Sequence, residues 1–185
     1  MTRGARPGLK QLHREFSERV VFVSVHVREA HPGERYPHHT SEAQKMRHAN
    51  DWARLDHIPW AVAVDTLDGT MHRAYGARPN SIHIVNSAGI VAFRALWAGQ
   101  ARLLRAKLEE LLRLEETHRT SVTLDERENL IVPLIHGAAE FDGAVGRGGT
   151  KATADFRREM GLVMYGMEKL MSRMRPLIHR PPEAA

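Results

Sequence analysis

The chain of 185 residues contains no cysteine. That absence excludes disulfides, thiolate ligation of zinc and a cysteine nucleophile, and it leaves no mark of redox compartment. Long apolar runs are also missing. The longest, over 20–27 and 58–64, are far too short to cross a bilayer. Arg3 and Arg6 stand near the start, but no apolar signal region follows them. There is no helix-turn-helix signature, no zinc finger and no aromatic RNA-binding motif. The formal net charge of +5 is spread among interspersed acidic residues, which reads as solvated surface rather than a polyanion-binding stripe. The glycine-rich stretch 143–150 (GAVGRGGT) lacks the Gly-Lys-Ser/Thr ending and the preceding strand of a phosphate loop, and is expected to be a flexible linker. What remains is a soluble, untargeted, cytoplasmic chain that engages neither nucleic acid nor membrane. It is long enough to bury a core without covalent staples.

Hydrophobic periodicity supplies the elements. Leu9, Leu12, His13 and Phe16 have helical spacing, which predicts a helix over 8–18. The β-branched run 20–27 (VVFVSVHV) predicts a buried strand, and the Pro-, Gly- and His-rich segment 31–40 a loop. Ser41, with Gln44 three residues on, predicts a capping box at the head of a helix reaching Leu55. A second buried strand is expected over 58–65 and a short helix over 67–75, stopped by Gly76. Strands over 81–85 and 90–95 are joined by Asn86-Ser87-Ala88-Gly89, a hairpin signal with Gly89 at the left-handed position. Residues 100–115 form an amphipathic helix on a leucine stripe. This α-β-α-β-α-β-β-α order argues for an α/β domain with a mostly parallel sheet, an antiparallel edge and helices on both faces. Residues 1–116 make up that domain. Residues 117–185 form a helical extension, with a helix over 124–136 and another over 152–178. Met160, Met164, Met167, Met171 and Met174 lie in a stripe on the last helix. The stripe suits packing on the first domain or, alternatively, a homodimer seam.

Three blocks carry a family resemblance. The strand running into Arg28-Glu29-Ala30-His31-Pro32, the stretch Asp65-Thr66-Leu67-Asp68-Gly69 ending in Tyr75-Gly76-Ala77, and residues 79–85 followed by Gly89 together resemble the iodothyronine deiodinase family. The resemblance covers roughly residues 8–115. It implies a thioredoxin-like fold and reductive removal of halogen by a selenocysteine or cysteine, regenerated by an external thiol, with no bound cofactor and no metal. It also implies site residues. Glu29 and His31 match the family's catalytic Glu and His, and His39 matches a second histidine of the site. His26 stands where the family often has tyrosine, and Ser81 where it often has arginine.

Elementary chemistry agrees with those roles. Histidine titrates near neutral pH and can hand a proton to a leaving carbanion or phenol, and a carboxylate can fix its tautomer. Glu29 and His31 are two residues apart, so in a continued strand they would project to one side. A metal set of His31, His38 and His39 matches no ligand-spacing template and is set aside; taken singly, His38, His39, His48, His57 and His72 read as surface histidines. Two functions are left open: a deiodinase-like selenol or thiol oxidoreductase acting on a small molecule, inactive without its nucleophile, and a non-catalytic thioredoxin-like binding protein. The resemblance further implies a first strand bearing the nucleophile, lying between the strands at 20–27 and 58–65. Residues 1–8 (MTRGARPG) are unsuited to supply it, so the chain is expected to be truncated at its start.

Overall fold

Helix α1 (Arg6–Phe16) forms on the apolar stripe that the spacing predicts and buries Leu12 and Phe16. They pack on Phe93, Ala95, Leu104 and Leu108, the main core of the molecule. The computed structural model describes residues 6–78, 80–96, 98, 101–119, 123–127 and 145–178.

Strand β1 (Val23–His26) is shorter than the apolar run that encodes it. Its ladder partner β2 (Ala61–Val64) begins opposite Val23, so Val20, Val21 and Phe22 extend beyond the pairing. Phe22 is used instead as an aromatic contact for His13 and Trp60. Between the two strands lies α2 (Glu42–Leu55), whose N-cap is Ser41. Ser41 Oγ accepts from the Gln44 N–H at 3.2 Å. The Gln44 side chain reaches back past the cap and accepts from the Thr40 N–H at 2.8 Å, so the expected box closes one residue early. After β2, Asp65 is buried and accepts from the N–H groups of Thr66, Met71 and His72, holding the first turn of α3 (Thr70–Ala74). Lys45, also buried, donates to the Thr66 carbonyl at 2.6 Å.

The hairpin of β3 (Ile82–Val85) and β4 (Val91–Ala95) turns where expected, with Gly89 at φ +79°. Helix α4 (Ala101–Glu116) covers it with Leu104, Leu108 and Leu111. The sequence predicts a helix from residue 124. The structure places strand β5 (Asp125–Arg127) there, parallel to β4. Charge pairing explains the difference: Lys107 meets Asp125 at 2.9 Å, and Arg94 bonds Glu126. The rest of that predicted helix lies outside the described residues. The last helix, α5 (Thr150–Ile178), is broken at Gly161, whose φ of 75° and ψ of 158° are not helical. Its first turn is capped from a distance by Glu34, which accepts from the Lys151 N–H at 3.0 Å. Just before it, residues 145–149 end in a turn: Val145 is buried with Ala152 and Phe156, and Arg147 bridges Asp56 at 2.9 Å. Met160 packs on that small cluster, while Met167 is exposed; the side chains of Met164, Met171 and Met174 lie outside the described residues.

The chain is thus mixed α/β, with two small sheets among the described residues, β1-β2 and β3-β4-β5. The first is parallel and the second begins with an antiparallel hairpin. The slot expected between the two parallel strands does not exist, because β1 and β2 hydrogen-bond to each other directly. The open edges are elsewhere. Among the described residues nothing pairs with the second edge of β1 or of β3, and both strands line one cavity of about 990 Å³. Of the described helices, none is long and apolar enough to cross a membrane.

Candidate functional site

Strand β1 delivers His26 at its C-terminal end, where α/β sheets present ligand-binding groups. The chain then leaves the extended conformation and bends at Ala30 and His31. The period-two geometry that would have put Glu29 and His31 on one side therefore stops applying. The two residues part company, and the expected Glu29–His31 pair does not form.

Glu29 turns toward three imidazoles. Its Oε1 lies 3.5 Å from His26 Nε2, 3.5 Å from His39 Nε2 and 3.3 Å from His48 Nδ1. His26 and His39 approach at 3.4 Å, and His39 and His48 at 3.1 Å. All four side chains are largely withdrawn from solvent, from 5% exposed for His39 to 16% for Glu29. Tyr36 packs edge-on against His48, and the Trp52 ring lies 5.9 Å from that of His26. His26 and His39 are residues the sequence singled out. His48 is not. The surface position expected of His39 and His48 taken singly is corrected for both: His39 is withdrawn beside Glu29, and His48 lies on the inner face of α2 beside buried Lys45 and Ala49. The three-residue spacing from Lys45 was a signal, but a charged Lys is a poor marker of an inward face.

Burial controls the electrostatics. Loss of solvation, reinforced by the neighbouring His39 and Lys45, drops the His26 pKa to about 3. Burial, then His48 and Lys45, drops that of His39 to about 4. Both imidazoles are neutral at physiological pH. The same loss of solvation pushes the Glu29 carboxyl above its ordinary value, against the pull of His48.

His31 faces the other way. Its Nδ1 lies 3.3 Å from Asp155 Oδ2 of α5, and its ring meets Phe156 edge-on at 5.1 Å. Asp155 lies 124 residues away in the sequence and outside the family resemblance, so no local pattern pointed to it. His38 is exposed, and among the described residues the trio His31, His38 and His39 is not assembled as a ligand group. Ser81 donates to the Arg78 carbonyl at 3.3 Å.

The groups share the cavity described above. His26, Glu29, His31, His48 and Ser81 all line it, with Trp52, His72 and His83. Its volume is ample for a small aromatic molecule. Trp52 Nε1, His72 Nε2 and His83 Nε2 are buried without a hydrogen-bond partner among the described residues. Buried polar atoms of this kind are rare in proteins, and a ligand's polar atoms or water would satisfy them. His72, too, is thus not the surface histidine expected of it. Compared with protein-family models, with curated proteins and with solved structures, the chain gives no match.

Proposed function

We propose that the chain is a deiodinase-like, selenol- or thiol-dependent oxidoreductase domain that binds a halogenated aromatic molecule and protonates it. One observation carries this reading: His31, hydrogen-bonded to Asp155, lines the same apolar cavity as the Glu29 cluster. Asp155 engages Nδ1 and leaves Nε2 as the nitrogen that exchanges a proton, the arrangement a general acid needs. In the reaction an external selenolate or thiolate takes up the halogen and the carbon–halogen electron pair stays on carbon. His31 supplies the proton to that carbon. A second thiol then displaces halide, forming a selenenyl sulfide or disulfide. The nucleophile has to come from outside these residues, because the chain holds no cysteine.

The fold belongs to this reading in its finer form. A parallel β1-β2 pair and an antiparallel β3-β4 hairpin suit a thioredoxin-like sheet in which one more strand bridges the free edges of β1 and β3. That strand would occupy the part of the cavity between the two edges. The part at the C-terminal end of β1 would be left for substrate.

The test is binding of 2,6-diiodophenol, followed through the fluorescence of Trp52 and Trp60, both on the cavity lining. We expect saturable quenching, tighter than for phenol itself, and no iodide release with dithiol alone. Absence of saturable binding overturns the reading. The lack of cysteine favours a second one, a non-catalytic binding protein. Under it, ligand would still bind, but iodide would not be released even when a small-molecule selenolate is added.

A further inference from the structure

We infer that His26, Glu29 and His39 form a binding site for a divalent transition-metal ion of the zinc, cobalt or ferrous class. This goes beyond the proposed oxidoreductase chemistry and stands independently of it.

The donor atoms His26 Nε2, His39 Nε2 and Glu29 Oε1 form a triangle with sides of 3.4, 3.5 and 3.5 Å. Hydrogen bonds from N–H to oxygen cluster nearer 2.9–3.0 Å. Each of the two facing Nε2 atoms carries at most one proton, and a carboxylate oxygen carries none. Two protons cannot serve three sides, so hydrogen bonding alone leaves at least one side of the triangle as an uncompensated close approach, donor to donor or lone pair to lone pair. A metal ion removes the difficulty. Ligands bound at about 2.1 Å in tetrahedral geometry are separated by about 1.63 times that length, or about 3.4 Å. The triangle is one face of such a tetrahedron, and the ligand atoms lie within 4.8 Å of one another.

The ligand chemistry fits as well. Two imidazoles and one carboxylate suit zinc and non-haem iron, and a three-ligand set leaves a position open. Two of the three ligands, His26 and Glu29, line the cavity, so a molecule bound there could reach that position. His48 Nδ1, 3.3 Å from Glu29 Oε1, holds the carboxylate in place from the side of α2 and acts here as a positioning residue. The sequence hides this set, because its ligands come from the end of a strand, the following loop and a point just before α2.

The test uses the full chain, stripped with a chelator and titrated calorimetrically with Zn(II) and then with Co(II), whose absorption reports coordination number. We expect one ion per chain and an intense tetrahedral-type Co(II) spectrum. His39→Ala and Glu29→Gln are each expected to weaken binding by at least tenfold, whereas His38→Ala, at the exposed neighbour, should leave it unchanged. Circular dichroism of each variant shows that it is folded; should His39→Ala fail there, His39→Gln replaces it. Saturable binding that survives His39→Ala and Glu29→Gln, or no saturable binding by the parent, overturns the inference. Diiodophenol binding by the chelator-treated chain is read separately, so failure of the metal site and failure of the oxidoreductase reading are told apart.

Discussion

Glu29 and His31 are two residues apart, yet each belongs to a different histidine–carboxylate group. Glu29 sits among three imidazoles supplied by β1, the loop before α2 and α2 itself. His31 has one carboxylate partner, from a helix far along the chain. In the first group the carboxylate is the hub, and two of its imidazoles are held neutral by burial. In the second the imidazole is the hub, with a single carboxylate to orient it. The lesson is that one bend in the backbone can divide a short motif between two environments, for which we propose ligation in one group and proton transfer in the other.

The sharpest way to break this comparison is through turnover. With diiodophenol and a small-molecule selenolate, His31→Ala is expected to slow protein-dependent iodide release by about a hundredfold, the usual range for a lost general acid. Asp155→Asn should cost about tenfold, because it weakens orientation without removing the proton donor. If His31→Ala releases iodide as fast as the parent, the division of labour is wrong.

The next effect is on stability against pH. His26 and His39 have folded pKa values of about 3 and about 4, below the ordinary 6.5. The unfolded chain therefore binds more protons than the folded one below pH 6.5. Their contribution to stability is complete above that value and is lost as pH falls toward 4 and then 3. Thermal melts should show Tm dropping across that window. His26→Phe, which keeps a ring against Trp52, should flatten the drop; an unchanged acid limb in this variant would refute the assignment.

Glu29 acts with the opposite sign. Its pKa is raised by burial, so its contribution is complete below 4.5 and lost as pH rises through the folded value. Glu29→Gln should accordingly raise Tm near neutral pH by a few degrees in metal-free protein, while weakening metal binding. A lower Tm would mean that the carboxylate's imidazole contacts outweigh its desolvation. The smallest effect belongs to Arg158, 79% exposed, which pairs with Asp155. Arg158→Ala should change stability by no more than about 0.5 kcal/mol and leave iodide release intact. A larger loss would show that His31 depends on more than Asp155.

Much of the fold was legible in the sequence because its elements are coded locally. The stripe of Leu9, Leu12 and Phe16, the cap at Ser41 and the turn at Gly89 all sit within a few residues of where they act. The pairing of strands was less legible. The sequence does not say that β1 and β2 bond directly, since two buried apolar runs look alike whether adjacent or separated. Strand β5 escaped notice because Asp125, Glu126 and Arg127 carry no apolar pattern; ion pairs with Lys107 and Arg94 hold it instead. Of the residues gathered around Glu29 and His31, the resemblance named His26, Glu29, His31 and His39. His48 and Asp155 were not named, since their partners are fixed by tertiary packing rather than by spacing.

One contact made by the loop that carries both groups bears on all of this. At Gly33 an added Cβ would lie 2.1 Å from the carbonyl oxygen of Gly148, and the Arg35 N–H bonds that same oxygen at 3.2 Å. Two stretches of bare backbone are seated against each other with no side chain between them. A side chain at position 33 could be admitted only by parting the loop from the turn before α5, so this seam has room for glycine and for nothing larger.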